Sequence, residues 1–168
     1  MLTLREGQPV VIEGIHGLNP LLTHAIPDEL KFRIYLSTLT QLNFDRHNRI
    51  FTSDARLIRR IVRDYQFRGY PVENTLQIWP SVRRGEEKWI FPYYEQANAI
   101  FNSHLLYELA ALKPIAETEL LKVARDSRFY PDAARLLQLL SYFQAIDLNS
   151  IPSNSILREF VGGSVFYT

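Results

Sequence analysis

Between Arg46 and Arg68 the chain carries seven arginines, at 46, 49, 56, 59, 60, 63 and 68, against two acids, Asp54 and Asp64. That local balance of +5 is set against −4 for the remainder, so the formal charge of only +1 over 168 residues hides an asymmetry. A guanidinium is a planar fork of donors that matches the oxygens of a phosphate. A basic patch on a slightly acidic body points to a defined anionic ligand more than to nonspecific nucleic-acid binding. The second residue with chemical potential is Glu13, which closes the apolar run Pro9-Val10-Val11-Ile12 just before Gly14. A carboxylate carried to the end of a buried strand needs a partner, and ligands of α/β sheets bind outside the carboxyl ends of the strands.

Other chemistries lack their residues. With no cysteine there is no disulfide scaffold, thiolate metal site or cysteine nucleophile, and the composition suits a reducing compartment. Neither Gly-x-x-x-x-Gly-Lys-[Ser/Thr] nor Gly-x-Gly-x-x-Gly occurs, and none of the four lysines follows a glycine. His16, His24, His47 and His104 have no metal-ligand spacing. Asn43-Phe44-Asp45-Arg46-His47-Asn48 superficially resembles a calcium loop but lacks its central glycine and closing glutamate, so it is rejected as one. No apolar run approaches the roughly 20 residues that span a bilayer. The opening Met1–Ile15 lacks the basic start and cleavage site of a secretory signal, so the expectation is a cytoplasmic protein.

The elements that must position these residues follow from periodicity. Residues 9–15 read as a buried, parallel strand delivering Glu13, and Lys31–Leu36 alternates as a second strand. Turns at Asn19-Pro20 and Ile26-Pro27-Asp28 leave room for a short helix between them. Ala97–Ser103 predicts a third strand, and 115–125 and 131–145 predict helices, the latter opening at Pro131. Asn154-Ser155 caps a short tail helix that Gly162-Gly163 stops.

The arginine segment itself reads as a helix, with Thr52-Ser53-Asp54 as its N-cap cluster. At 100° per residue Arg56, Arg59, Arg60 and Arg63 fall in one arc of about 100°. Leu57, Ile58, Ile61, Val62 and Tyr65 lie opposite. Four cations on one arc repel one another unless they share an anion. Phe67-Arg68-Gly69-Tyr70-Pro71 closes the helix with one more arginine.

The ordered set Val11-Ile12-Glu13-Gly14-Ile15-His16, Phe32-Arg33-Ile34-Tyr35-Leu36 and Arg59-Arg60-Ile61-Val62-Arg63-Asp64 with Phe67-Arg68-Gly69 resembles the uridine kinase and phosphoribulokinase family of P-loop kinases. Phe101-Asn102-Ser103 through Leu109 and Ser155 through Ser164 are similar to its bacterial uridine kinase-like branch, where the kinase often follows a TGS domain. The resemblance implies an α/β fold. It would be an incomplete P-loop kinase-type parallel sheet flanked by helices, over residues 1–128, with a helical C-terminal extension over 129–168.

The resemblance also implies transfer of the ATP γ-phosphoryl group to a nucleoside-like hydroxyl acceptor, with Mg²⁺. Glu13 matches the acid that assists Mg²⁺ at the end of a Walker-B-type strand. Arg60 matches a lid arginine that reaches toward acceptor and phosphoryl group. Arg63 and Arg68 match lid residues on the nucleotide phosphates, with Arg56 and Arg59 as further anion-binding candidates. Tyr70 stands where uridine kinases carry another arginine. The family's phosphate loop, its lysine and its aspartate base have no counterpart here, so the sequence looks like the C-terminal part of the kinase domain and should be inactive alone. The strands at 10–13 and 31–36 would then pair directly, or another chain, including a second copy, would fill the gap between them. An alternative reading is a noncatalytic module that grips nucleic acid or a phosphorylated partner through the arginine helix, with Phe44, Tyr65, Phe67 and Tyr70 as stacking surfaces. A purely structural module built on 131–160 would explain neither Glu13 nor the arginines.

Overall fold

A computed structural model describes residues 5 and 7–166. Within the opening segment Met1–Ile15, Met1–Leu4 and Glu6 lie outside the described residues. The chain divides into two compact units: the segment through Tyr35 with Arg83–Phe101, and Leu36–Val82 with the segment from Asn102 onward.

The strands are β1 (Ile34–Ser37) and β2 (Ala99–Asn102). The N–H groups of Asn98 and Ala99 donate to the Arg33 carbonyl, and the Ser103 N–H donates to the Ser37 carbonyl. Both partners advance in the same sense, so the pair is parallel. Asparagine side chains extend the ladder at each end. Asn98 Oδ1 accepts from the Arg33 N–H at 2.8 Å, while Asn102 pairs its amide with the N–H and carbonyl of Leu39 at 2.9 and 3.0 Å.

The helices are α1 (Thr52–Arg68), α2 (Val72–Trp89), α3 (Glu108–Leu120), α4 (Tyr130–Ser141) and the single turn α5 (Arg158–Val161). In the second unit α1 packs on α3 and α5, and α3 packs on α4. Ile58, Ile61, Leu109, Leu112, Leu136, Leu140 and Leu157 are the centre of its core. The helices after residue 129 therefore share one core with the arginine helix. Pro131 occupies the first turn of α4, where a missing N–H costs nothing. Gly162, at φ 84°, ends α5 as its missing Cβ allows.

Three expectations are corrected. Residues 8–13 form no strand: they are irregular and exposed, with Val11 87% and Ile12 61% accessible. A parallel strand needs a neighbour for its backbone groups, and the sheet of the described residues contains β1 and β2 alone. The direct pairing expected between 10–13 and 31–36 is thus not made, and β1 pairs with β2. Thr52-Ser53-Asp54 does not cap α1 from outside but forms its first turn; Phe51 is the N-cap, with no side-chain cap bond. Thr52 Oγ1 instead accepts the Thr40 N–H, and Asp54 pairs with Arg135.

In the first unit two short 3₁₀ turns, Pro20–Leu22 and Asp28–Leu30, begin at the two Pro-marked turns. Lys31 and Arg33 both donate to Asp28 Oδ1, and these hydrogen bonds, with the attraction of the two cations, hold its carboxyl below the usual carboxylate range. The sign follows: the contact is complete above the ordinary Asp pKa and is lost as pH falls through the lowered one. Among the described residues every buried apolar side chain belongs to the second unit. Ile58→Ala should therefore cost about 2–5 kcal/mol of stability, whereas Val11→Ser should stay within about 0.5 kcal/mol. Urea unfolding of the two variants measures both.

Candidate anion-binding site

α1 carries its arginines on a helix whose buried stripe is Ala55, Leu57, Ile58, Ile61 and Val62. Asp64 lies at the margin between that stripe and the arginine arc, and its side chain has no solvent exposure. An ionised carboxylate out of water requires counter-charge, and three arginines supply it. Arg60 Nε donates to Oδ2 at 3.2 Å from one turn before. Arg68 Nη1 donates to Oδ1 at 3.0 Å from one turn after, and Arg63 Nη2 reaches Oδ1 at 3.4 Å. Thr75 Oγ1, on the first turns of α2, donates to Oδ2 at 3.3 Å.

The turn that makes this possible is Gly69, at φ 64°, a conformation that favours glycine. Its N–H returns to the Tyr65 carbonyl, and the Tyr70 N–H returns to the Asp64 carbonyl. Three guanidiniums against one carboxylate leave an excess of two positive charges. Arg60, Arg63 and Arg68 keep 21, 31 and 46% of their side chains in solvent.

Arg59 leaves this group. It lies at the edge of the arginine arc, about 60° from Arg56 on the helical wheel, and turns into the core. There its Nε and Nη2 form a bidentate pair with Glu108, at the start of α3, and Nη2 also donates to the Ser103 carbonyl at 3.2 Å. The Phe160 ring of α5 packs against the guanidinium, 5.1 Å from its centre. The uniform arginine face expected from the wheel is therefore divided, and its charges are met first by the chain's own carboxylates. Arg56 stays half-buried on α1.

The same region holds residues that periodicity did not single out. Glu108 has no exposure, and His104, four residues earlier in the segment entering α3 and with a side chain 3% exposed, brings Nδ1 within 3.3 Å of Glu108 Oε2. Neither ring nitrogen of His104 makes a hydrogen bond. Thr38 Oγ1 and Ser103 Oγ lie 3.2 Å apart just past the carboxyl ends of β1 and β2. The available signal was the four-residue spacing Arg60–Asp64–Arg68, which sets its members on one helical face; His104 precedes α3 in irregular chain, so its approach to Glu108 had no such signal.

Glu13 lies in the first unit, exposed and outside any strand, so it needs no buried partner. Residues 45–48 form a polar turn rather than an ion loop. Asp45 accepts from the Asn48 side chain and the His47 and Asn48 N–H groups, which together hold its carboxyl below the usual range. Among the described residues no group of three His, Asp or Glu could hold a metal ion, and no helix is long and apolar enough to cross a membrane.

α1 thus gathers three arginines about one buried acid and ends at the Gly69 turn, and guanidinium donors are of the kind that pair with carboxylate or phosphate oxygens. The model of the phosphoribulokinase / uridine kinase family matches residues 3–107, which include Glu13, both strands and all of α1 and α2. The match covers more than half of the chain, and the chain belongs to that family of kinases. No curated protein and no solved structure matches it significantly.

The buried pair makes a prediction of its own. Glu108→Gln leaves Arg59 without its counter-charge and should cost about 3–5 kcal/mol, whereas Arg59→Met with Glu108→Leu should recover most of that. Chemical denaturation of the single and double variants tests the pair.

Proposed function

We propose that this chain is the lid-bearing part of an ATP-dependent kinase that passes the γ-phosphoryl group to a nucleoside-like hydroxyl acceptor, in the uridine kinase-like branch that follows a TGS domain. The observation that carries this reading is the set Arg60, Arg63 and Arg68 gathered on Asp64 with net positive charge, inside the segment matched by the family. Phosphoryl transfer asks the protein mainly for positioning and charge neutralisation, and guanidiniums held at fixed spacing do both. In this reading Arg63 and Arg68 hold the nucleotide phosphates, and Arg60 spans phosphoryl group and acceptor. Arg59 serves the fold rather than the ligand.

The charge excess suits the phosphates of ATP. Mg²⁺ takes one or two carboxylates and completes its shell with water and phosphate oxygens. As an exposed carboxylate, Glu13 is free to join such a shell, and the ion would neutralise charge on the transferring group. The 168 residues contain no phosphate-cradling Gly-x-x-x-x-Gly-Lys-[Ser/Thr]. Catalysis by these residues alone is therefore not part of the proposal.

One observation favours the noncatalytic alternative: Tyr65, Phe67 and Tyr70 are 40, 58 and 45% exposed beside the arginines, as stacking surfaces for bases would be. Calorimetric titration separates the readings. ATP should bind the chain, and Arg60→Gln, Arg63→Gln or Arg68→Gln should each weaken it about tenfold, with ATP turnover at background. Single-stranded RNA binding that falls steeply with salt, without ATP binding, would favour the nucleic-acid module. Robust ATP turnover by the chain alone would contradict the assignment to a lid.

A further inference from the structure

We infer that Asp64 is a positioning residue for phosphate recognition: it touches no ligand itself but holds Arg60, Arg63 and Arg68 in the arrangement that a polyphosphate meets. The inference rests on the kinase-lid reading above and deepens it. Asp64 has no exposed side-chain surface, so any effect on a ligand must pass through its neighbours. Those neighbours are three guanidiniums from two successive turns of α1, which would separate by mutual repulsion without a shared anion.

Each guanidinium has five N–H donors, and each commits a single nitrogen to Asp64: Nε of Arg60, Nη2 of Arg63 and Nη1 of Arg68. The carboxylate thereby fixes the side-chain rotamers while leaving most of each donor fork uncommitted to it. Thr75 makes the arrangement more than a local helix pairing. Its hydroxyl, on α2 and itself fully buried, holds Oδ2 from beyond the Gly69 turn. The acid is thus clamped between two helices before any ligand arrives. Donors ordered in advance bind more tightly than the same donors left mobile, because less freedom is lost on binding.

This assignment makes a prediction opposite in sign to simple electrostatics. Asp64→Asn adds one positive charge to an already basic cluster, which by charge alone should strengthen anion binding. A positioning role requires it to weaken. The experiment is calorimetric titration of the full chain and its variants with inorganic tripolyphosphate at low and moderate salt. Thermal unfolding and the NMR signal of the Arg60 Nε–H group are followed in parallel.

Asp64→Asn should lose about tenfold in affinity and move the Arg60 Nε–H signal as its bond to the carboxylate is lost, Thr75→Val about threefold with all charges in place, and Asp64→Glu should restore part of the loss. A folded Asp64→Asn that binds as tightly as the unaltered chain, or more tightly, overturns the inference and leaves the lid reading standing. Should Asp64→Asn fail to fold, Thr75→Val decides alone, because unchanged affinity there overturns the inference equally. If the unaltered chain does not bind tripolyphosphate, the lid reading fails and the role of Asp64 falls with it.

Discussion

A carboxylate that leaves water must take its counter-charge with it, and α1 meets that constraint twice. Glu108 and Asp64 have no exposed side-chain surface, and arginines of this one helix neutralise both. The cost of removing such charges from water is several kcal/mol per ion, offset only when geometry and additional hydrogen bonds are good. Around Glu108 they are: Arg59 binds it bidentately, also donates to the Ser103 carbonyl, and lies on the Phe160 ring. That one guanidinium joins α1 to the end of β2, to α3 and to α5.

The second carboxylate has the reverse balance. Around Asp64 the guanidiniums outnumber the acid, and the surplus charge stays partly exposed. A structural pair ends in neutrality, as at Glu108. A cluster that ends in excess remains able to attract an anion. Glu108 and Asp64 thus divide the arginines of α1 between a neutral buried pair and a cluster with surplus positive charge, although Arg59 and Arg60 are neighbours in sequence.

The first unit shows the other side of burial. Parallel sheets are normally covered on both faces and read as continuous apolar runs. Here Ile34, Ile100 and Phe101 of the strand pair are more than half exposed, as are Val11, Ile12 and Ile15 of the run that was expected to form a strand. The apolar composition that makes these segments read as strands is present. Among the described residues no further strand extends the pair.

How much was legible follows from which interactions are local. The arginine helix, its buried stripe, β1, β2, α4 and the Gly162 stop were visible because each rests on periodicity, turn residues or a glycine conformation within a few positions. The family was legible too, through the order of short motifs that run from Glu13 to Gly69. The strand at 9–15 was misread because a strand is completed by a partner that no local pattern specifies. The fate of each arginine was likewise beyond the wheel, which gives an angle but not a neighbour. By itself the sequence determined that a helix would concentrate positive charge opposite an apolar stripe. Only the tertiary structure decided that Arg59 would meet Glu108, 49 residues away, while Arg60, Arg63 and Arg68 would close on Asp64. The physical reason is that burial, which compels charge pairing, is a property of the packed helices and not of any one of them.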